Sequence, residues 1–327
     1  MLDPPRAYGA PLAHGVLRTE PEDFVVEEQL SFAPAGSGQH VLLKVRKRDA
    51  NTQWVARELS RACGCRSMDV GYAGLKDRRA VAVQWFTVPR TRLTLEEWQS
   101  VTGQGFEVLE AHAHTRKLPR GALEGNRFEV RIRNVDADDS ALAAKLNLIA
   151  ACGVPNYFGP QRFGRDGSNL KGDQPRGFAL SAARSLVFNA VAAERVSDGS
   201  WARFEDGDVA NLDGRGSVFT AVPDPVLHER CDKLEIHPTG PMWGRGPLAS
   251  GARIRELETT VAARFSQECE LVEQAGMEQE RRALRLAVRD LQWHRDGADI
   301  ALTFRLTRGA FATVVLREIV DYGDSST

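Results

Sequence analysis

An excess of charge of either sign is missing from this chain. Its 327 residues carry 43 Lys+Arg and 44 Asp+Glu, for a formal net charge of -1. That balance excludes nucleic-acid binding by bulk charge and leaves only local basic surface for such a role. Cysteine is scarce and odd in number: Cys63, Cys65, Cys152, Cys231 and Cys269, with no CxxC pair. A disulfide framework and a zinc ribbon are thereby excluded, and reduced thiols in a cytoplasmic protein are expected. The opening MLDPPRAYGAPLAHG has no basic head followed by an apolar core, so no signal peptide is expected. No apolar run approaches the roughly 20 residues of a membrane span. Internal repeats, low-complexity tracts and GxSxG, HExxH or Walker patterns are lacking too. His112 and His114 are the closest histidines and have no convincing third ligand, so no metal centre is expected.

What is present supports a full core. Hydrophobic residues make up 42%, and the length suits two domains or one domain with an insertion. HVLLKVRK (40–47) alternates as a strand, with Val41, Leu43 and Val45 on one face. Asn51 or Thr52 can cap a following helix, in which Val55, Leu59 and Ala62 share a face and which Gly64 stops. FEVLEAHAH (106–114) is a further strand. NRFEVRIRNV (126–135) alternates most cleanly, with Phe128, Val130 and Ile132 against Arg127, Glu129, Arg131 and Arg133. Next comes a helix over 140–153, with Asp139 as its cap. A long Gly/Pro/Asn/Arg-rich loop follows, then helices over 180–196 and 253–266 and a hairpin near Arg295–Gly297. GAFATVVLREIV can be helix or strand. The pattern is α+β, with boundaries near 153 and 298.

Three stretches could carry chemistry. In GYAGLKDRRAVAVQWFTV (71–88), Asp77 sits among Lys76, Arg78 and Arg79 in a turn between strands. Neighbouring cations favour its ionised form, so its pKa should fall. That suits a nucleophile or charge stabiliser rather than a general acid; an ordinary solvated turn is the plainer reading. In NYFGPQRFG (156–164), Tyr157, Phe158 and Phe163 interleave with Gln161, Arg162 and nearby Arg165, either to stack bases and hold phosphates or simply to pack a loop. TRKLPRGALEGNRF (115–128) brings Arg116, Lys117 and Arg120, which can track a phosphate backbone or be plain polar surface.

Taken together and in order, PEDFVVEE, AGLKDRRAVAVQWF, KLPRGALEGNRF, PNYFGPQRFG, LSAARSLVFN and GAFATVVLREI resemble the tRNA pseudouridine synthase D family, from about Arg18 to Ile319. The resemblance implies an α+β pseudouridine-synthase catalytic domain with a mainly antiparallel sheet (1–152 and 299–327) and an inserted family-specific α+β domain (153–298). It implies conversion of uridine to pseudouridine at position 13 of tRNA, without cofactor or metal, by a monomer with tRNA as partner. Asp77, the acid of the GxKD motif, is implied as nucleophile acting on a flipped-out uridine. Arg18, where the family often has Lys, pairs with it. Asn126 supports the site, Phe128 packs on the target base, and Phe24 and Phe311 line the uridine pocket. A non-catalytic RNA-binding protein is the alternative from another class. A glycosidase-like hydrolase would want a second carboxylate, for which Glu27 and Glu28 are available.

Overall fold

Phe128, Val130 and Ile132 turn one face of their strand inward, and that strand becomes the spine of a large sheet in the computed structural model, which describes residues 3–164 and 176–324. The chain forms two compact units. One comprises Ala13–Ala137, Arg289–Gly309 and Asp321–Thr327; the other comprises Met1–Leu12, Asp138–Val288 and Ala310–Val320. These divisions fall elsewhere than 153 and 298. The strands Arg289–Asp296 and Asp299–Thr307 pair with each other, and the second pairs along the spine, so a break at 298 would cut a hairpin at its turn.

The first unit is built on a sheet of eleven described strands. They are β1 (His14–Leu17), β2 (Phe24–Gln29), β3 (His40–Arg48), β4 (Gly71–Tyr72), β5 (Val81–Pro89), β6 (Thr102–Gly103), β7 (Phe106–His114) and β8 (Gly125–Arg133), with the hairpin and the strand Asp321–Asp324. Their path runs from the hairpin through β8, β2, β5, β3 and β7 to β6. Pairing is mainly antiparallel, and β2 lies parallel to β5. The register sets Phe24 opposite Val130, Val26 opposite Phe128 and Glu28 opposite Asn126. Gly297, at φ +62, makes the tight turn of the hairpin.

Helix α1 (Thr52–Cys63) begins where the Asn51 side chain accepts a hydrogen bond from Gln53 N, and it ends at Gly64, in the left-handed conformation. Its buried stripe is Val55, Ala56, Leu59 and Cys63, packed on Val41, Leu43, Val45 and Phe86. Ala62, expected on that face, points to solvent, and Cys63 takes its place. Burial of the larger members, Val55 and Leu59, contributes roughly 1.5–3 kcal/mol each. Helix α2 (Leu95–Gln99) adds the fully buried Trp98 to the same cluster.

In the second unit, α3 (Asp139–Cys152) buries Leu142, Leu146 and Ile149; its N-cap is Asp138 rather than Asp139, since Asp138 accepts from Ala141 N. Helix α4 (Arg176–Ser197) packs on a four-stranded sheet and on the helices Ala252–Ala263 and Ser266–Gln274, where a single helix was expected. The C-terminal apolar run is a helix, Ala312–Ile319, with one strongly apolar face.

Candidate active site

The acid singled out in the sequence lies on the segment joining β4 to β5. Asp77 keeps 55% of its side chain exposed, and Arg18 Nη2 donates to its Oδ2 at 2.8 Å. The Arg18 side chain is only 9% exposed, and its guanidinium lies 4.4 Å from the centre of the Phe24 ring. A cation on an aromatic face and against a carboxylate is attracted by both. Arg18 also has φ +57, uncommon for a side-chain-bearing residue, so the fold holds it in a costly backbone conformation directly beside the acid.

Two of the sequence neighbours of Asp77 find their partners elsewhere. Lys76 points away, to the fully buried carboxylate of Glu28, and Arg78 pairs with Asp49 at 3.4 Å. The segment is instead fixed from beneath by buried polar groups. Lys47 Nζ donates to the carbonyls of Asp77 (2.7 Å) and Ala50 (2.8 Å). Lys76 N donates to Thr52 Oγ1, whose hydroxyl donates in turn to Gln84 Oε1, and Gln84 Nε2 donates to the Gly74 carbonyl. Glu28 Oε2 accepts from Trp85 N at 2.9 Å. Burial pushes the Lys47 ammonium down to about 8, against the pull of the Asp77 charge. Burial pushes the Glu28 carboxyl up, against the pull of Lys76.

Lys47 was not picked out from the sequence, and Glu28 was considered only as a second carboxylate for a hydrolase, not as a support of the Asp77 segment. Period two carried the signal: Lys47 continues the inward series Val41, Leu43, Val45, and Glu28 continues Phe24, Val26. A charged residue at the end of a buried series must be paired, and here each pairs with the segment that holds Asp77.

Phe24 and Phe128 belong to the core under Arg18, at 4% and 6% exposure. Their rings meet edge to face at 6.0 Å, and Phe128 stacks on Phe304 at 5.4 Å. Neither ring offers an open face in this state. Asn126, opposite Glu28, is buried, and its Oδ1 has no hydrogen-bond partner among the described residues. A buried orphan acceptor costs about 1–3 kcal/mol, which a ligand donor would recover. Phe311 belongs to the other unit, just before the helix Ala312–Ile319, and is 39% exposed.

The chain matches the tRNA pseudouridine synthase D family over residues 6–171 and 176–319. It is 45% identical to tRNA pseudouridine synthase D of Nitrosococcus oceani, across 96% of this chain and 93% of that one. It is 43% identical to the Methylococcus capsulatus protein of the same name, across 98% and 95%. The chain belongs to this family. A crystal structure of a Methanosarcina mazei protein assigned to tRNA pseudouridine synthase D has the same fold, with a TM-score of 0.76 at 19% identity over 97% of this chain and 95% of that one.

The fold is therefore the α+β fold of the pseudouridine synthase D family, with a mostly antiparallel main sheet. Of the aromatic loop considered for base stacking, Tyr157, Phe158 and Phe163 are buried in the second unit, which is the packed-loop alternative; Arg165 lies outside the described residues. The carboxylates available to a hydrolase are spent as well. Glu27 pairs with Lys44 at 2.9 Å, and Glu28 with Lys76. Among the described residues, no group of His, Cys, Asp or Glu could hold a metal ion. No helix among them is long and apolar enough to cross a membrane.

Proposed function

We propose that this tRNA pseudouridine synthase isomerises uridine at position 13 of tRNA, with Asp77 as the nucleophile toward a flipped-out uridine. Family membership carries the coarser statement that the protein is an isomerase acting in tRNA pseudouridine synthesis. The observation that carries the finer one is a half-exposed carboxylate held by Arg18 on a segment tied down by Lys47, Thr52 and Gln84. Such fixed positioning is what a nucleophile needs, because much of the barrier can be removed by orientation.

In this reaction the uracil N1–C1′ bond breaks, the ring turns, a C5–C1′ bond forms, and the C5 proton is lost while N1 gains one. Asp77 bonds to C1′ as N1 leaves and is released when C5 bonds to C1′, so the carboxylate is regenerated and the net change is a moved bond and a proton transferred from C5 to N1. Arg18 holds the Asp77 carboxylate in place through its 2.8 Å hydrogen bond. Phe24 and Phe128 form the apolar floor beneath Arg18, and Asn126 Oδ1 accepts a hydrogen bond from the bound nucleotide. Phe311 lines the uridine pocket, an assignment that rests on the family resemblance. By the family resemblance, 1–152 and 299–327 form the catalytic domain and 153–298 the family-specific insertion; the compact unit that holds Asp77 belongs to the catalytic part. The enzyme acts as a cytoplasmic monomer without cofactor.

The test is incubation of unmodified tRNA carrying uridine 13 with purified enzyme, followed by carbodiimide labelling and primer extension. A stop at position 13 is expected. Modification confined to another position would overturn the site assignment. Tight tRNA binding with no modification would favour a non-catalytic binding protein.

A further inference from the structure

We propose that a groove beside the Asp77 segment binds the single-stranded sugar-phosphate backbone of the tRNA substrate flanking the target uridine, with one base stacked on Arg120. This deepens the reading of the enzyme as one that works on tRNA and rests on it.

The groove encloses about 700 Å³ in the first unit, between the start of α1, the segment 67–72 and the loop 117–120. Arg57, Lys117 and Arg120 line it, together with Gln53, Met68 and Tyr72, and no carboxylate does. The nearest acids in the chain are already taken by arginines outside the lining. Asp69 accepts two hydrogen bonds from Arg66, at 2.9 and 3.1 Å, and Glu58 pairs with Arg61. Arg57 and Arg120 have no acidic partner among the described residues. Lys117 donates to the Met68 carbonyl at 2.5 Å and feels the nearby Asp69 charge. Three exposed cations therefore share one concavity lined by no carboxylate, two of them without an acidic partner among the described residues, which is the electrostatic footprint of a polyanion site.

A second depression in the first unit shows the opposite arrangement. It encloses about 760 Å³ on the far face of the sheet, and its arginines face acids: Arg46 pairs with Glu107, Arg48 with Glu22 and Arg127 with Glu129. Its field is spent internally, so it offers a polyanion little.

Arg120 adds shape to charge. Its guanidinium carbon lies over the Tyr72 ring, 3.8 Å from the ring centre, so the group is already seated on an aromatic support. The outer face of such a group stacks on an unpaired base, a common mode of single-strand recognition. Met68 is 69% exposed at the rim and offers further apolar contact.

Groove and Asp77 segment are made from the same pieces of chain. Gly121 N donates to the Ala73 carbonyl at 2.8 Å, tying the Lys117–Arg120 loop to the start of the segment. Thr52 holds Lys76, while the adjacent Gln53 lines the groove. Even fully extended, the backbone from Tyr72 to Asp77 spans at most about 18 Å. A strand lying in the groove would thus reach the acid within a few nucleotides.

The test measures binding of an unmodified tRNA transcript to the full-length protein across a salt series. The variants are Arg57→Gln/Lys117→Gln/Arg120→Gln, Arg57→Gln alone, Arg120→Lys, and Arg46→Gln as a control on the far face. Thermal melting checks each fold. The triple variant should bind at least tenfold more weakly, with a log K against log salt slope shallower by about 2, since each single-strand phosphate contact contributes about 0.7. Arg57→Gln, which sits on an exposed helix face, should show about a third of that slope change. Arg120→Lys should weaken binding severalfold with the slope kept. Arg46→Gln should match wild type.

A folded triple variant with wild-type affinity and slope overturns the groove assignment, and so does weakened binding with an unchanged slope. An Arg120→Lys variant that binds like wild type overturns the stacking. Failure of the functional reading shows separately, as wild-type enzyme that binds tRNA but forms no pseudouridine.

Discussion

The ammonium of Lys47 donates a 2.7 Å hydrogen bond to the main-chain carbonyl of Asp77, and it does so from a residue only 1% exposed. The contact sets the backbone from which the carboxylate projects and places a positive charge directly beneath it. Because burial holds this ammonium down at about 8, the charge is lost within an accessible pH range. Turnover at saturating tRNA should fall as pH rises through about 8, and Lys47→Arg should move that fall upward, since arginine stays protonated. Single-turnover rates measured against pH check this; identical alkaline limbs in the two enzymes would count against it.

Stability should move the other way over the same range. The folded pKa of Lys47 is depressed below the ordinary 10.5, so between about 8 and 10.5 the unfolded chain binds more protons at this site than the folded one. Stability contributed by this residue therefore rises with pH across that window, having been penalised below it. Denaturant melts of wild type and Lys47→Met, compared at each end of the window, should show wild type gaining stability relative to the variant as the pH rises, and an unchanged difference would contradict a depressed Lys47.

Glu28 and Lys76 form a buried pair behind the segment. Glu28→Gln leaves Lys76 with an uncompensated charge and should cost about 3 kcal/mol or more. The double variant Glu28→Gln/Lys76→Met should regain most of that loss. Both should lower the turnover rate more than they weaken tRNA binding, because the pair orders the segment rather than meeting solvent. A double variant no more stable than the single one would contradict a coupled pair.

Arg18 stands where the family often has lysine. Arg18→Lys keeps the charge opposite Asp77 but gives up the guanidinium contact over Phe24. Its rate should stay within about tenfold of wild type, whereas Arg18→Ala should lose far more, a charge-assisted hydrogen bond being worth roughly 1.5–3 kcal/mol. Equal losses in the two variants would show that charge alone is not what matters here.

Phe128 separates core from site. Its ring is packed between Phe24 and Phe304, so Phe128→Ala should cost about 3–5 kcal/mol of stability through the cavity it leaves. Thermal melting measures this directly; a shift near zero would mean that the ring stands free of the core.

Local pattern made much of this fold readable. Two-residue alternation placed Phe128 inward, Asn51 and Gly64 bounded α1, and motif order led to the family and to Asp77. What stayed hidden depends on pairing between distant segments. Nothing local announces that β2 lies parallel to β5, and it is this pairing that brings Glu28 beside the stretch following Asp77. The hairpin near Gly297 was legible as a hairpin, but its membership in the first unit depends on pairing with β8, far earlier in the chain. The cations next to Asp77 in sequence misled for the same reason, since their partners are set by the tertiary fold: Glu28 for Lys76 and Asp49 for Arg78.

The central claim is that the Asp77 carboxylate is the nucleophile. The most direct measurement is the single-turnover rate of pseudouridine formation at position 13 by Asp77→Asn beside wild type, with melting curves and tRNA binding recorded on the same preparations. Asp77→Asn preserves size and leaves the buried supports intact, so it should fold and bind tRNA like wild type while forming no detectable pseudouridine. A folded Asp77→Asn enzyme that modifies uridine 13 at the wild-type rate would contradict the account.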